Sequence, residues 1–254
     1  MSRKGRVILA GAGPGDPELM TIKALRAVQS ADVILHDALV PAAILREAGT
    51  KARLVDVGKR GGCRSTAQAF IEHLMIREAR AGNVVVRLKG GDPFIFGRGG
   101  EELETLRAAG IAVEVIPGVT AASAAAAAIG APLTHREHAH GVTFVTGHAA
   151  RPEDEPDWDA LVASGLTLAI YMGVGRAAAI VARLLAAGMA ADMPVVVVAN
   201  ASRPQQSVID ASLVDIVDRL STATPAMNPA VMLVGRSVAR ECATEVVLRE
   251  MRAG

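Results

Sequence analysis

The chain has 254 residues, 27 lysines and arginines against 26 aspartates and glutamates, and an aromatic content of only 2%. At about 100–200 residues per domain this length makes one large domain or two small ones. A net charge of +1 excludes non-specific nucleic-acid binding, which needs a basic excess to release counterions.

The hydrophobic fraction of 51% owes much to alanine. No run reaches the roughly 18 strongly apolar residues of a membrane span, and the Ala-rich stretch Val119 to Leu133 is too weakly apolar. Two cysteines, Cys63 and Cys242, make neither a disulfide framework nor a metal-ligand spacing. The N-terminus runs straight into a strand-like segment without a signal-peptide core, so the expectation is a reduced, cytoplasmic protein with no membrane partner.

In chain order, strands are expected at Arg6–Ala10, Val33–Leu35, Arg53–Val57, Val84–Leu88 and Ala112–Ile116. A second series follows at Val142–Thr146, Leu166–Tyr171, Pro194–Ala199, Ser207–Ile209 and Ala230–Val234. Helical patterns lie between them at Leu19–Ser30, Thr66–Ala81, Glu101–Ala109, Ala121–Ile129 and Arg176–Ala187, with Arg151–Asp159 read as a surface loop. Such alternation reads as α/β with mixed, mostly parallel sheets. Ten strands are many for one sheet, and Ile116-Pro117-Gly118 divides the chain into two α/β domains, 1–116 and 117–254.

The loop Gly11-Ala12-Gly13-Pro14-Gly15-Asp16-Pro17 follows the first strand, where open α/β sheets bind ligands. It departs from a dinucleotide fingerprint, because the third glycine comes early and two prolines stiffen the turn. Asp37 follows the second strand, where it is either a ribose-gripping acid or the cap of the next helix. From Val86 to Glu102 a strand enters a turn with five glycines and two of the four phenylalanines, a composition suited to a ligand-facing floor. Arg98 and Glu101 are three apart and share one face of a helix start. Lys59, Arg60, Arg64, Arg87, Lys89, Arg98 and Arg136 read either as scattered solvated charges or, together, as the receptor for a polyanion. His135, His138 and His140 match no common zinc spacing, so no metal is expected. His148 is placed to meet a ligand after its strand, and Met172 is either a core methionine or the wall of a flat ligand site.

Gly11–Pro17, His36–Val40, Arg87–Glu102, Ile116–Ala121, Thr146-Gly147-His148, Tyr171-Met172-Gly173 and Asn228-Pro229-Ala230 occur in one order that closely resembles the tetrapyrrole (class III) methyltransferase family over nearly the whole chain. The resemblance implies a homodimer of two-domain protomers with an active-site cleft between the domains. It implies C-methylation of uroporphyrinogen III at C2 and C7 to precorrin-2, with S-adenosylmethionine as donor, for siroheme, cobalamin or haem d1 synthesis. Cofactor contacts carried over from the family are Pro14, Gly90, Gly91, Asp92, Ile95 and Phe96 in the first half, and Thr120, Ala121, Met172, Ala201 and Ala230 further on. Arg98, Glu101 and Asp37 are carried over as catalytic, and Leu39, Arg136, His148 and Met172 as substrate-binding. Proton removal falls in the family to the arginine at Arg98, assisted by its nearby glutamate, but a guanidinium is a poor base. The alternative is that Arg98 anchors a substrate propionate or acetate while a substrate carboxylate, water or Glu101 receives the proton. An NAD-dependent dehydrogenase fails on the prolines of the first loop and leaves the second glycine-rich segment unexplained. A non-enzymatic module for anionic tetrapyrroles would explain the arginines but leave the sulfonium pocket without purpose. The length leaves no room for a fused dehydrogenase–chelatase module, so neither NAD nor metal insertion is expected.

Overall fold

In the computed structural model, which describes residues 4–58, 67–149, 151–223 and 228–239, the chain divides into two units, Met1–Thr120 and Ala121–Gly254. In the first, strands β1 (Arg6–Gly11), β2 (Val33–His36), β3 (Arg53–Asp56), β4 (Val84–Lys89) and β5 (Val113–Ile116) form one wholly parallel sheet in the order β3-β2-β4-β1-β5. A parallel sheet must be covered on both faces, and the period-2 alternation of the strands sorts the side chains accordingly. Ile8, Ala10, Ile34, Val86 and Leu88 pack with helix α1 (Ile22–Ser30) and the short α2 (Ala42–Leu45). Val7, Leu9, Val33, Leu35 and Val85 face the other way, against α3 (Gln68–Arg80) and α4 (Gly99–Ala108).

Two sequence expectations change here. The helix expected from Leu19 begins at Ile22, because the Thr21 hydroxyl caps it by accepting the Ala24 N–H at 3.1 Å, while Pro17–Leu19 forms a separate 3-10 turn. The short α2 after Pro41 was not foreseen, since four residues are too few to show a period. Thr66 and the basic residues Lys59, Arg60 and Arg64 lie outside the described residues, as do Cys63 and Cys242.

The second unit starts with α5 (Ala121–Ile129) and holds β6 (Val142–Thr146), β7 (Thr167–Tyr171), β8 (Pro194–Ala199), β9 (Ser207–Ser212) and β10 (Ala230–Val234) in the order β6-β7-β10-β8-β9. Only β6 and β7 are parallel in it, so five of the eight described pairings in the two sheets are parallel. The connection from Ala199 to Ser207 is too short for a crossover helix, which makes β8 and β9 an antiparallel pair. One face of this sheet packs on α6 (Trp158–Ala163), α7 (Ala177–Ala186) and α8 (Ile216–Thr222) through Trp158, Ile180, Leu184 and Ile216. The loop expected over Arg151–Asp159 is therefore interrupted: Asp157 caps α6 by accepting the Ala160 N–H at 3.0 Å, and Trp158 is drawn into the core. Among the described residues no helix is long and apolar enough to cross a membrane.

Candidate active site

Strand order selects where the first unit can hold a ligand. After β1 the chain crosses to β2 on one side, and after β4 it crosses to β5 on the other. The carboxyl ends of β1 and β4 therefore flank a topological switch point, where open parallel sheets leave a crevice. Both glycine loops leave from there, and they are stitched together: Gly13 and Gly91 exchange N–H···O=C bonds of 3.2 and 2.8 Å, and Ala12 donates to the Lys89 carbonyl at 2.8 Å.

Glycine is needed here for two separate reasons. Gly91 has φ +68°, in the left-handed region, and a Cβ there would meet no atom within 4 Å, so the loop is open on that side. Gly11 and Gly118 have no such room, because a Cβ on either would run into the Gly91 carbonyl oxygen. The Asp92 carboxylate locks the arrangement, accepting from Phe94 N at 2.8 Å with one oxygen and from Gly118 N at 3.0 Å with the other. Pro14, Gly90, Gly91, Asp92 and Thr120 thus all belong to loops at the carboxyl ends of β1, β4 and β5. Leu39 joins them, its Cβ lying 3.0 Å from where a Gly90 Cβ would stand.

The stretch from Pro93 to Gly99 folds back on itself through Gly99 N donating to the Pro93 carbonyl at 3.0 Å. It holds Phe94 and Phe96 exposed, and puts both Phe96 (φ +52°) and Arg98 (φ +58°) in the left-handed region. Non-glycine residues held there cost of order 1–3 kcal/mol each and cluster at functional sites. Arg98 sits at the N-terminal boundary of α4 and donates through Nε (2.9 Å) and Nη2 to the two oxygens of Glu101. This bond raises the Arg98 pKa above the ordinary guanidinium value and holds the Glu101 carboxyl below the usual carboxylate range.

Arg87 and Lys89 are a correction. Instead of meeting a polyanion from solution they are 3% and 2% exposed, and a fully buried Glu102 bridges them, from Oε1 to Arg87 Nε and from Oε2 to Lys89 Nζ, at 3.0 Å each. Burial pulls the Arg87 pKa down, but the charges of Asp37 and Glu102 outweigh it and raise the net value. Lys89 goes the other way: burial first, then the Arg87 charge, lower its pKa against the pull of Glu102. Asp37 accepts from Arg87 Nη2, so its carboxylate is the cap of no helix; α2 follows Pro41 without a side-chain cap. Glu102 escaped sequence reasoning, although its signal was present: alternation places Arg87 and Lys89 on the covered face beside Val85, and two buried cations need a nearby anion.

In the second unit the expected residues also gather at one sheet end. The register pairs Thr146 with Tyr171, Tyr171 with Val231, and Ala199 with Ala230. His148, Met172, Ala201 and Ala230 therefore follow or open four adjacent strands at the same end. Ala121 is tethered there, because the Tyr171 hydroxyl accepts the Ala122 N–H at 3.0 Å. Met172 (φ +54°) is exposed rather than core, and Asn200 and Ser202, at φ +50° and +64° on either side of Ala201, are further left-handed positions that sequence reasoning did not flag. Arg136 lies elsewhere, in an exposed turn closed by His135 N donating to the Ala139 carbonyl (2.8 Å) and Ala139 N to that of His135 (2.9 Å). In the same turn His135, Glu137 and His138 bring three metal-competent atoms within 4.8 Å of one another, all on exposed side chains, with the two imidazoles stacked.

A family model described as tetrapyrrole (corrin/porphyrin) methylases matches residues 6–217. The chain is 52% identical to a uroporphyrinogen-III C-methyltransferase of Pseudomonas aeruginosa, over 91% of this chain and 93% of that one. It is 48% identical to a siroheme synthase of Citrobacter koseri over 94% of this chain, but spans only about half (51%) of that longer protein. Among solved structures, uroporphyrin-III C-methyl transferase from Thermus thermophilus complexed with S-adenosylhomocysteine superposes with a TM-score of 0.78 at 42% identity, covering 92% of this chain and 99% of that one.

Proposed function

The chain belongs to the tetrapyrrole (corrin/porphyrin) methylase family, and from that membership we propose that it methylates uroporphyrinogen III at C2 and then C7, yielding precorrin-2 and S-adenosylhomocysteine. The observation that carries the substrate is the 52% identity to the Pseudomonas enzyme across nearly all of both chains. The reaction is proposed to run in the cytoplasm, in a homodimer using neither metal nor NAD, and to feed siroheme, cobalamin or haem d1 synthesis.

S-adenosylmethionine would supply an electrophilic sulfonium methyl group. The first unit fits such a molecule: an open side at Gly91, backbone polar groups at the switch point and the exposed Phe96 suit a ligand that is part nucleoside, part amino acid. The residues proposed to hold it are Pro14, Gly90, Gly91, Asp92, Ile95 and Phe96, together with Thr120, Ala121, Met172, Ala201 and Ala230. Their work is alignment and exclusion of water, since an electron-rich pyrrole carbon needs no covalent enzyme intermediate to attack a sulfonium methyl.

Arg98 is proposed to bind a substrate acetate or propionate. Glu101 keeps it protonated, which suits an anchor and disqualifies a base. Leu39, Arg136 and His148 are proposed as further substrate contacts. The methylated ring is cationic and therefore a strong acid, so a weak base suffices to take its proton, and Asp37 is proposed for that step. Anaerobic incubation with methyl-labelled S-adenosylmethionine and uroporphyrinogen III should give a doubly labelled tetrapyrrole. Absence of any labelled tetrapyrrole would overturn the proposal, and a singly labelled end product would overturn its second step.

A further inference from the structure

Strand β4 carries two charges on a face where its neighbours are apolar. Arg87 and Lys89 alternate with Leu88 and share their face with Val85, under α3 and α4, and Glu102 comes down from α4 to meet them. Taking ions out of water costs several kcal/mol each, and apolar side chains of similar volume would serve packing at least as well. Stability therefore does not account for this trio, whereas its geometry does suggest a use.

The Arg87 guanidinium is held from three sides. Nε donates to Glu102, Nη1 to the Leu35 and Leu88 carbonyls at 3.4 Å each, and Nη2 to Asp37. Glu102 is itself immobilised, because Oε1 also accepts from Gln68 Nε2 at 3.2 Å and Oε2 takes Lys89 Nζ. Asp37 alone of the four charged groups reaches solvent, with 27% of its side chain exposed. Glu102 also adjoins Glu101, so one turn of α4 holds exposed Arg98 on one side and buried Arg87 on the other.

We propose that Arg87, clamped by Glu102, is the positioning residue that sets the carboxylate of Asp37 at the end of β2, and that Glu102 thereby ties Asp37 to the helical turn presenting Arg98 and Glu101. The proposal rests on the reading of Asp37 given above. A lysine at position 87 would keep the charge but lose the planar fork that spans two carboxylates at once.

The test is a double-mutant cycle of Arg87→Lys and Asp37→Asn in the full chain, with turnover of uroporphyrinogen III. Arg87→Lys should lower kcat about tenfold to a hundredfold, the range expected of a misplaced reacting group. S-adenosylhomocysteine affinity and KM for the tetrapyrrole should stay within about threefold. In the Asp37→Asn background the same substitution should change kcat less than about twofold, because its effect passes through Asp37. Equal losses in both backgrounds, an unchanged kcat in Arg87→Lys, or an Asp37→Asn enzyme of undiminished kcat would each overturn the proposal. Should Arg87→Lys fold poorly, Glu102→Gln enters the same cycle with the same expectations. A crystal structure of the variant decides the positioning without turnover: a relocated Asp37 carboxylate supports it and an unmoved one refutes it. An inactive wild-type protein would sink the substrate reading while leaving this structural arm decisive.

Discussion

Replacing Glu102 by alanine leaves Arg87 and Lys89 facing each other in a covered layer. The loss comprises two 3.0 Å ion pairs and the 3.2 Å bond from Gln68, at a site with 0% exposure. Asp37 still neutralises part of the Arg87 charge, but Lys89 is left without its anion. Removing one partner of a buried pair costs about 3–5 kcal/mol, a large fraction of the ~5–15 kcal/mol that holds a typical domain. Native-state hydrogen exchange of the β4 amides reads the loss in the first unit. Fluorescence of the single tryptophan, Trp158, reads the second unit and serves as an internal control that should move far less. A pH signature accompanies the loss. Lys89 already has a folded pKa below the ordinary lysine value, and without Glu102 it falls further. Between that lowered value and the ordinary one the unfolded chain binds the extra proton, so stability rises with pH. The deficit of the variant should therefore shrink as the pH rises toward about 10, near the free lysine value. A triple replacement of Arg87, Lys89 and Glu102 by methionine or leucine should recover stability to within about 1 kcal/mol of the parent or exceed it. A deficit for Glu102→Ala below about 1 kcal/mol, or one that grows with pH, would refute the reasoning.

Gly118→Ala drives a Cβ into the Gly91 carbonyl oxygen and should weaken S-adenosylhomocysteine binding at least about tenfold by calorimetry, by displacing the loop by a few tenths of an ångström or more. Gly100→Ala, where a Cβ meets nothing within 4 Å on α4, should instead hold or raise the melting temperature, gaining up to about 1 kcal/mol. Arg98→Lys should lower uroporphyrinogen III affinity about tenfold or more, while the single-turnover rate at saturation stays within about threefold, as expected for an anchor that loses its fork; a collapse of that rate with affinity intact would make Arg98 the proton acceptor after all. In the second unit, Thr167→Val strands the buried Ser237 hydroxyl, whose oxygen lies 2.7 Å from that of Thr167, and should cost about 1–3 kcal/mol in chemical denaturation without altering ligand affinity.

Much of the local architecture could be read directly from residue order. All ten strands occur within a few residues of their expected positions, because short β-branched runs bounded by glycine have few alternatives. Helices were less legible: Ala42–Leu45, Trp158–Ala163 and Ile216–Thr222 are too short for an apolar period to register. The glycine loops were legible as sites of close backbone approach. Their partners were not, since nothing in Gly11 or Gly118 reveals that both lie against the carbonyl of Gly91.

Composition and spacing by themselves determined the strands and the loops that end them, which are properties of neighbouring residues, and the order of the motifs along the chain carried the family resemblance. The fate of the charges was decided only by tertiary structure. A near-neutral chain with basic residues at strand ends suggested cations waiting for a polyanion; Arg98 is exposed but already paired with Glu101, and Arg87 and Lys89 are buried. Whether a cation is offered to solvent depends on which face of its strand is covered and on which strand lies alongside. Here β2 beside β4 brings Asp37 to Arg87 across fifty positions of sequence, and α4 laid over that face brings Glu102 to both cations. In the low-dielectric layer between strand and helix those pairings are compulsory, because an unmatched charge there costs more than the fold can spare.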